Sequence, residues 1–348
     1  MTLAVNRSHP RGWLFLCTSL CVLLASCGDS GSLHKLSGTA MGTSWHISYL
    51  DNPASPKQAE VEQGVAALLE RLEDSMSTYR PDSEISRFNQ LPALQWYAIS
   101  NDMLVVLQAA RELHQHSQGT FDITVGPLVD LWGFGPDPQR DKPPSEDDIA
   151  KLSQRVGQHY LQLDVAASKI SKSENIALDL SSIAKGYGVD VVARWLLSQH
   201  IDNFLVEIGG ELRVAGHSPR GDLWRVAIEQ PDALKRSVAK ALVVTNRGMA
   251  TSGDYRNFFE VDGKRYSHTL DPRTGRPVNH DLVSVTVVAD TAMQADGWAT
   301  ALTVLGAKRG YALAVELDLA VYFITRSTKG FQTRVTPAML PFVVVDKS

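Results

Sequence analysis

The sequence has no cysteine beyond residue 27. Its three cysteines, Cys17, Cys21 and Cys27, lie in the opening segment, so the rest of the chain can hold neither an intramolecular disulfide nor a thiolate metal site. It has no basic excess either. The formal net charge is -4 over 348 residues, which removes the electrostatic footprint expected of a nucleic-acid-binding protein. Walker A spacing is absent, as are a G-x-G-x-x-G opening a helix, H-E-x-x-H and G-x-S-x-G. P-loop, dinucleotide-fold, zinc-protease and serine-hydrolase chemistries therefore have no support in the sequence. No tandem repeat is visible. At 44% apolar and 21% charged residues, what remains is an ordinary globular composition, long enough for one large domain or two modest ones.

The first residues differ in texture from the rest. Arg7 and Arg11 precede an uncharged apolar stretch that begins at Gly12 and ends in Leu24-Ala25-Ser26-Cys27. That is the form of a secretory signal, and the apolar run is short for a membrane span. "LASC" resembles the bacterial lipobox, in which cleavage removes residues 1–26 and leaves Cys27 as a lipid-bearing N-terminus. Residues 27–37 then read as a polar tether and 38–348 as the folded body. A plain signal peptide or an N-terminal anchor helix are the alternatives. Losing residues 1–26 removes two arginines and no acid, taking the net charge from -4 to -6. Acyl chains, rather than attraction to anionic headgroups, would hold such a protein at a membrane.

Hydrophobic periodicity predicts a strand over 42–50 and a helix over 57–76, with Val61, Val65, Leu68, Leu72 and Met76 on one stripe. Further helices are expected over 101–117, after Ser100, and over 181–199. Residues 133–148 read as a Pro-rich charged loop. From 203 the texture turns to strands, including a hairpin about Asp262-Gly263. A strand at 282–290 leads into a helix over 291–306, a second helix near 307–317 and two closing strands. Hairpins with helices packed on them indicate an α+β fold with antiparallel sheets, in one compact unit, with two lobes left open.

Within this pattern some polar residues are misplaced. Asp296 stands in the apolar helix "TAMQADGWATALTVLG", with Thr300 four residues on and on the same face. A buried carboxylate needs compensation. Two hard oxygen donors suit Mg²⁺, which takes one or two carboxylates and completes its shell with phosphates and water. The alternative is an acid meeting a helix dipole. Gly297, beside it, is explained if a side chain there would crowd a ligand or a neighbouring strand. In "ALDLSSIAKGYGVD", Asp179 ends a strand, Ser181 or Ser182 can cap the helix, and Lys185 lies one turn inside. A lysine at a helix N-terminus suits phosphate; solvation of Lys185 is the bland alternative. Gly209-Gly210 between strands marks either a bulge or a close approach to the backbone. Asp122 has apolar neighbours. "ATSGDYRN" and "YSHTLDPRTGRP" read as turns, the latter carrying His268.

Taken together, "GTAMGTSW", "MSTYRPDSEISRFN", "GTFDITVGPLVDLWGFGP", "DLSSIAKGYGVD", "IGGELRVAG", "TSGDYRNFFEVDGKRYSHTLDPRTGRP" and "ADGWATAL" resemble, in order, the ApbE family of FAD:protein FMN transferases. The resemblance runs from about Leu36 to Phe342. It implies an α+β fold related to the tunnelling fold, with 38–348 as the catalytic domain. It also implies a Mg²⁺-dependent enzyme that splits FAD, moves FMN onto a Thr or Ser hydroxyl of a target protein and releases AMP. The implied targets are redox subunits of the sodium-pumping NADH:quinone oxidoreductase or the Rnf complex, which places the protein, lipid-anchored, at the periplasmic face of the inner membrane.

Residue by residue, the resemblance makes Met41 a flavin contact and lays Thr78, Tyr79 and Arg80 along FAD. It sets Thr120, Phe121 and Asp122 at the adenine side and adds Asp179, Lys185 and Leu270 as further FAD contacts. Asp296 and Thr300 match metal ligands, with a backbone oxygen near Ser182. Where many members carry a second acid, this chain has Ala299. The acceptor hydroxyl must lose a proton; His268 is the candidate base and Asp271 the second. An FAD pyrophosphatase, with water as acceptor, and a non-catalytic periplasmic flavin-binding lipoprotein are the competing readings.

Overall fold

Strict alternation of buried and exposed residues builds the strand next to one sheet edge. In Thr43–Leu50, Trp45, Ile47 and Tyr49 point inward and their neighbours outward. The structure, a computed structural model, describes residues 31–344 apart from 136–141, 232–236, 254–257, 262–263 and 329. The signal segment, Cys27 and the Asp262-Gly263 turn lie outside the described residues.

The elements in chain order are β1 (Leu33–Ala40), β2 (Thr43–Leu50), α1 (Gln58–Met76), α2 (Glu84–Gln90), β3 (Tyr97–Ala98), α3 (Asn101–His116), α4 (Gly126–Leu131), α5 (Glu146–Ser153), β4 (Leu161–Asp164) and β5 (Lys169–Lys172). There follow α6 (Ala184–Ser198), β6 (Asn203–Ile208), β7 (Glu211–Ala215), β8 (Trp224–Glu229), β9 (Val238–Val244), β10 (Arg247–Gly253), β11 (Phe258–Val261) and β12 (Lys264–Ser267). The last are β13 (Leu270–Asp271), β14 (Arg276–Pro277), β15 (Leu282–Ala289), α7 (Ala292–Glu316), β16 (Ala320–Ser327) and β17 (Gly330–Val335). Eight strands form one antiparallel sheet in the order β1-β2-β6-β7-β10-β15-β16-β17. The sheet is open, with β1 and β17 at its edges, and the α+β reading holds.

Helices cover one face. Val285 and Val287 of β15 pack with Ala295, Trp298 and Leu302 of α7. Val61, Val65 and Leu69 of α1 pack with Val192 and Leu196 of α6 over β2 and β6. The opposite face carries the β8-β9 hairpin, where Trp224 and Leu242 meet Val214, Met249 and Val288. β15 has a layer on each side and is buried along almost its whole length, as a central strand must be.

Several expectations need correction. The stretch read as a tether is already a strand from Leu33. Apart from the exposed Leu33 its outward positions are polar, and Leu36 alone is fully buried, which is how an edge strand hides its period. Ser145 caps α5 by accepting from Asp148 N–H at 3.1 Å, so the Pro-rich loop ends there rather than at 148. "ATSG" is not a turn but the end of β10, paired with β15. By contrast, the two helices expected to meet at 306 are borne out: the run α7 is two helices joined across a kink at Gly306, at φ 75°. His280 Nε2 donates to the Thr303 carbonyl at 2.8 Å beside that break, meeting an oxygen close to where the helical ladder is interrupted. A side chain at Gly297 would strike Leu113 of α3, not a strand.

The helices α6 and α7 fix one another. The Asp190 carboxylate of α6 is buried and accepts from the amides of Ala292 and Met293, at 3.0 and 2.9 Å, at the start of α7. It also pairs with Arg213 at 2.6 Å. In return, Asp296 of α7 accepts from Gly186 N–H at 3.0 Å in the first turn of α6. Each helix thereby meets orphan N-terminal donors of the other. Gly186 is required at the crossing, since a Cβ there would lie 2.4 Å from the Ala292 carbonyl.

Asp190→Ala should therefore be severe. It strands two amides and the Arg213 charge, a loss of about 3–5 kcal/mol by the usual cost of breaking a buried pair. Asp190→Asn, which keeps an acceptor, should cost less. Urea unfolding of the three proteins tests the ranking, and an Asp190→Ala loss below about 1 kcal/mol would mean that the cap does not hold α7.

Candidate functional site

Asp296 is 5% exposed. Burial raises its pKa, while the Lys185 charge and the Gly186 amide oppose that rise and Asp190 adds to it. The amide it meets belongs to α6, whose N-terminus also carries Lys185. No side chain caps α6: Ile183 stands at its N-cap and makes no such bond. The expectation that Ser181 or Ser182 caps the helix is thus not met, and the acid from α7 takes over. Asp179 lies in an extended segment rather than a strand; its carboxylate accepts from Ser181 N–H at 2.7 Å.

Lys185 is not simply solvated. Its ammonium lies 3.3 Å from Glu211 Oε1 and donates to the Ser181 carbonyl at 3.4 Å. Desolvation pulls its pKa down, but Asp296, Glu211 and Asp179 more than offset that, and the net shift is upward. Lys185 is a committed cation among three carboxylates. Burial and the Asp296 charge drive Glu211 well above the ordinary carboxylate range, against the pull of Lys185. Its second oxygen, Oε2, is buried with no hydrogen-bond partner.

The backbone turn between β6 and β7 passes over the Lys185 stem. Gly209 and Gly210 both have positive φ, 63° and 105°, and a Cβ on Gly209 would lie 3.2 Å from Lys185 Cδ and 2.8 Å from Thr43. This is a close approach, not a bulge, and Ile208 pairs with Glu211 across it. At the β1-β2 tip, Met41 takes a left-handed φ of 53° and accepts its fixation from Glu73, which binds its N–H. The Met41 sulfur packs against Gly188 of α6. Tyr79 is 67% exposed, and the nearby Asp179 and Asp130 charges add to desolvation in raising its phenol. An exposed ring beside this cluster is a stacking platform.

Met41, Tyr79, Asp179, Lys185 and Asp296 thus converge about the α6 N-terminus. Thr300 is half-buried one turn beyond Asp296, and Ser182 is half-buried in the turn before α6. Thr120 joins through α7: its hydroxyl donates to Ser117 and Ala301 carbonyls. Phe121 is core, and the Asp122 carboxylate is taken up by Thr124 and the Gln158 amide. Any contact of this segment with a ligand must then come largely from its backbone.

Arg80 is clasped by Glu70, Glu73 and Asp74 of α1, and Thr78 is half-buried in the preceding turn. Arg80 faces a groove of about 770 Å³ lined by Gly42, Thr43, Trp45, Glu70 and Glu73, which does not include Lys185 or Asp296. Leu270 packs with Leu128, Leu131 and Trp132 near α4. His268 is half-buried with its ring edge toward Phe134. Asp271 is held by Arg273 at 2.7 and 2.9 Å.

Two residues escaped the sequence reading. Glu211 is an acid immediately after a glycine pair, at the mouth of a buried strand. Asn89 brackets Leu178 with two hydrogen bonds, and the buried Lys172 donates to the Asn89 and Ile176 carbonyls, bracing the segment that carries Asp179. Nothing in local pattern marks either.

Among the described residues no group of three or more His, Cys, Asp or Glu side chains is placed to hold a metal. A cation site of one carboxylate, one hydroxyl, a backbone oxygen and substrate oxygens does not need one. The local charge fits such a site. The acids Asp296, Glu211 and Asp179 face the single ammonium of Lys185, and one Glu211 oxygen is orphaned. A cation there would favour the charged forms of Glu211 and Asp296, which burial disfavours.

A profile of the ApbE family matches residues 41–323. An FAD:protein FMN transferase of Vibrio cholerae is 43% identical over 96% of this chain and 99% of its own length. One from Haemophilus influenzae is 41% identical over 93% and 95%. Among solved structures, the Vibrio cholerae flavin transferase ApbE superposes with a TM-score of 0.83 at 42% identity, covering 89% of this chain and all of that one. The apbe protein of Thermotoga maritima gives 0.82 at 26% identity, covering 90% of this chain. Fold, order of motifs and the cluster at the start of α6 lead to one conclusion: this chain belongs to the ApbE family.

Proposed function

We propose that the protein is an FAD:protein FMN transferase that uses Mg²⁺ and places FMN on a Thr or Ser hydroxyl of a target protein. The observation that carries this reading is the buried Asp296 beside Lys185 at the α6 N-terminus, on a chain whose relatives carry that activity in their names. In the reaction, the acceptor oxygen bonds to the phosphorus of the FMN half. The bond from that phosphorus to the bridging pyrophosphate oxygen breaks, and AMP leaves with the bonding electrons. The hydroxyl proton passes to a base, for which His268 is the candidate.

Lys185 holds a phosphate, and the α6 N-terminus favours negative charge. Tyr79 offers its ring to a flavin or adenine. Asp296, Thr300 and a backbone oxygen near Ser182 would hold Mg²⁺, whose charge offsets that on the phosphate oxygens. Ala299 contributes no ligand, so its place in the shell would fall to water. Cys27 as a lipid-bearing N-terminus at the periplasmic face of the inner membrane belongs to the same reading, as do targets of the quinone-oxidoreductase and Rnf type. It rests on "LASC" and on the resemblance.

The direct test mixes the protein with FAD, Mg²⁺ and an isolated quinone-oxidoreductase subunit. The subunit should become covalently fluorescent on a denaturing gel, with AMP released in step. AMP released equally without the subunit would instead make the protein a pyrophosphatase.

Asp296→Asn keeps an acceptor for Gly186 N–H and should melt near wild type, yet lose transfer by at least about a hundredfold together with its Mg²⁺ dependence. Equal Mg²⁺ titrations in the two proteins would leave Asp296 as a helix cap alone. Lys185→Ala should weaken FAD binding by about 1.5–3 kcal/mol, the range for a charge-assisted hydrogen bond; an unchanged dissociation constant removes its phosphate role. Cys27→Ser should yield an unprocessed or mislocalised precursor. Mass spectrometry finding unmodified Cys27 in a normally membrane-attached protein would overturn the lipobox.

A further inference from the structure

Lys185 lies in the field of two buried acids with different tasks. Asp296 is the proposed cation ligand. Glu211 has no part in that set, and no simple structural purpose either: it is 4% exposed, one oxygen touches Lys185 at 3.3 Å and the other has no partner. A carboxylate kept buried and half-satisfied is costly. Asp296 nonetheless acts on Lys185 strongly through space, and its charge ranks ahead of that of Glu211 in raising the lysine. Among the described residues Lys185 forms no ion pair with Asp296 within 4.0 Å; its ion-pair partner is Glu211.

We propose that Glu211 is a positioning residue that holds the Lys185 ammonium away from Asp296, so that the α7 carboxylate stays open to a divalent cation while the lysine stays free for phosphate. Without Glu211, the acid that acts most strongly on Lys185 through space is Asp296. The lysine would then close onto it as an internal substitute for the cation. Position supports this. Glu211 follows the Gly209-Gly210 turn that lies over the Lys185 stem, so one strand end supplies both the surface against the lysine stem and the carboxyl oxygen, 3.3 Å from the ammonium, that aims it. The two-glycine turn allows the carboxylate to sit that close to α6. The inference rests on the reading of Asp296 as a cation ligand.

The test measures Mn²⁺ binding to the apo-protein by the loss of the free-ion electron paramagnetic resonance signal, with neither FAD nor turnover. Four proteins are compared: wild type, Asp296→Asn, Glu211→Gln and Glu211→Gln with Lys185→Met. Glu211→Gln should bind Mn²⁺ about tenfold more weakly than wild type, in the range of one close ion pair near a protein surface. Adding Lys185→Met should restore affinity to about the wild-type value, because the competitor is gone; that recovery is the coupling a double-mutant cycle reads.

Wild-type affinity in Glu211→Gln, or a double variant as weak as the single one, overturns the proposal. If wild type and Asp296→Asn bind alike, the cation site itself is misassigned, which is a separate failure. Should Glu211→Gln not fold, Glu211→Met removes the orphaned oxygen together with the charge, and the same two comparisons are made on it.

Discussion

Two helices that supply each other's missing acceptors are the constraint on which the rest depends. The first amides of an α-helix have no partner within it, and neither α6 nor α7 solves this wholly by itself. Asp190 serves α7 and Asp296 serves α6. Exchange of acids between the two helices sets their separation, and Gly186 shows how small it is. The sheet below and α1 and α3 beside them are packed around a pair whose geometry is already decided.

That exchange also explains why chemistry sits where it does. Placing Asp296 at the positive end of α6, within the field of Lys185, offsets part of the cost of burying an acid in an apolar helix. Lys185 stands at the same helix end, with its stem against the Gly209-Gly210 turn. A structural cap and an electrostatic site share one carboxylate. Acids from α7, β7 and the 176–180 segment converge there on the ammonium of Lys185.

Much of this was legible in the chain. The apolar period of α1 and α3, the cap at Ser100 and the alternation in β2 and β6 depend on neighbouring residues and are read locally. The misfit of Asp296 in an apolar helix was legible for the same reason. Its partner was not, since Gly186 is 110 positions away. β1 was missed because an edge strand needs few apolar residues. Asp122 looked like a ligand-facing acid, yet its carboxylate is satisfied by Thr124 and Gln158; sequence marks that an acid is buried but not which donors fold back onto it. Glu211 passed unnoticed because its significance lies in its distance to Lys185, which only the β6-β7 turn creates.

The break at Gly306 divides α7 into halves with different histories available to them. The first half carries Asp296 and Thr300 and is tied at its start by Asp190. The second half begins after a residue of left-handed backbone, with His280 bound to the Thr303 carbonyl beside the break. A change of tilt beyond 306 need not be transmitted along a continuous ladder to the carboxylate. Drift in the later half, or a change of length in the loop that follows, is therefore insulated from the site. A lineage could remodel that end of the sheet freely while the aim of Asp296 stayed the same.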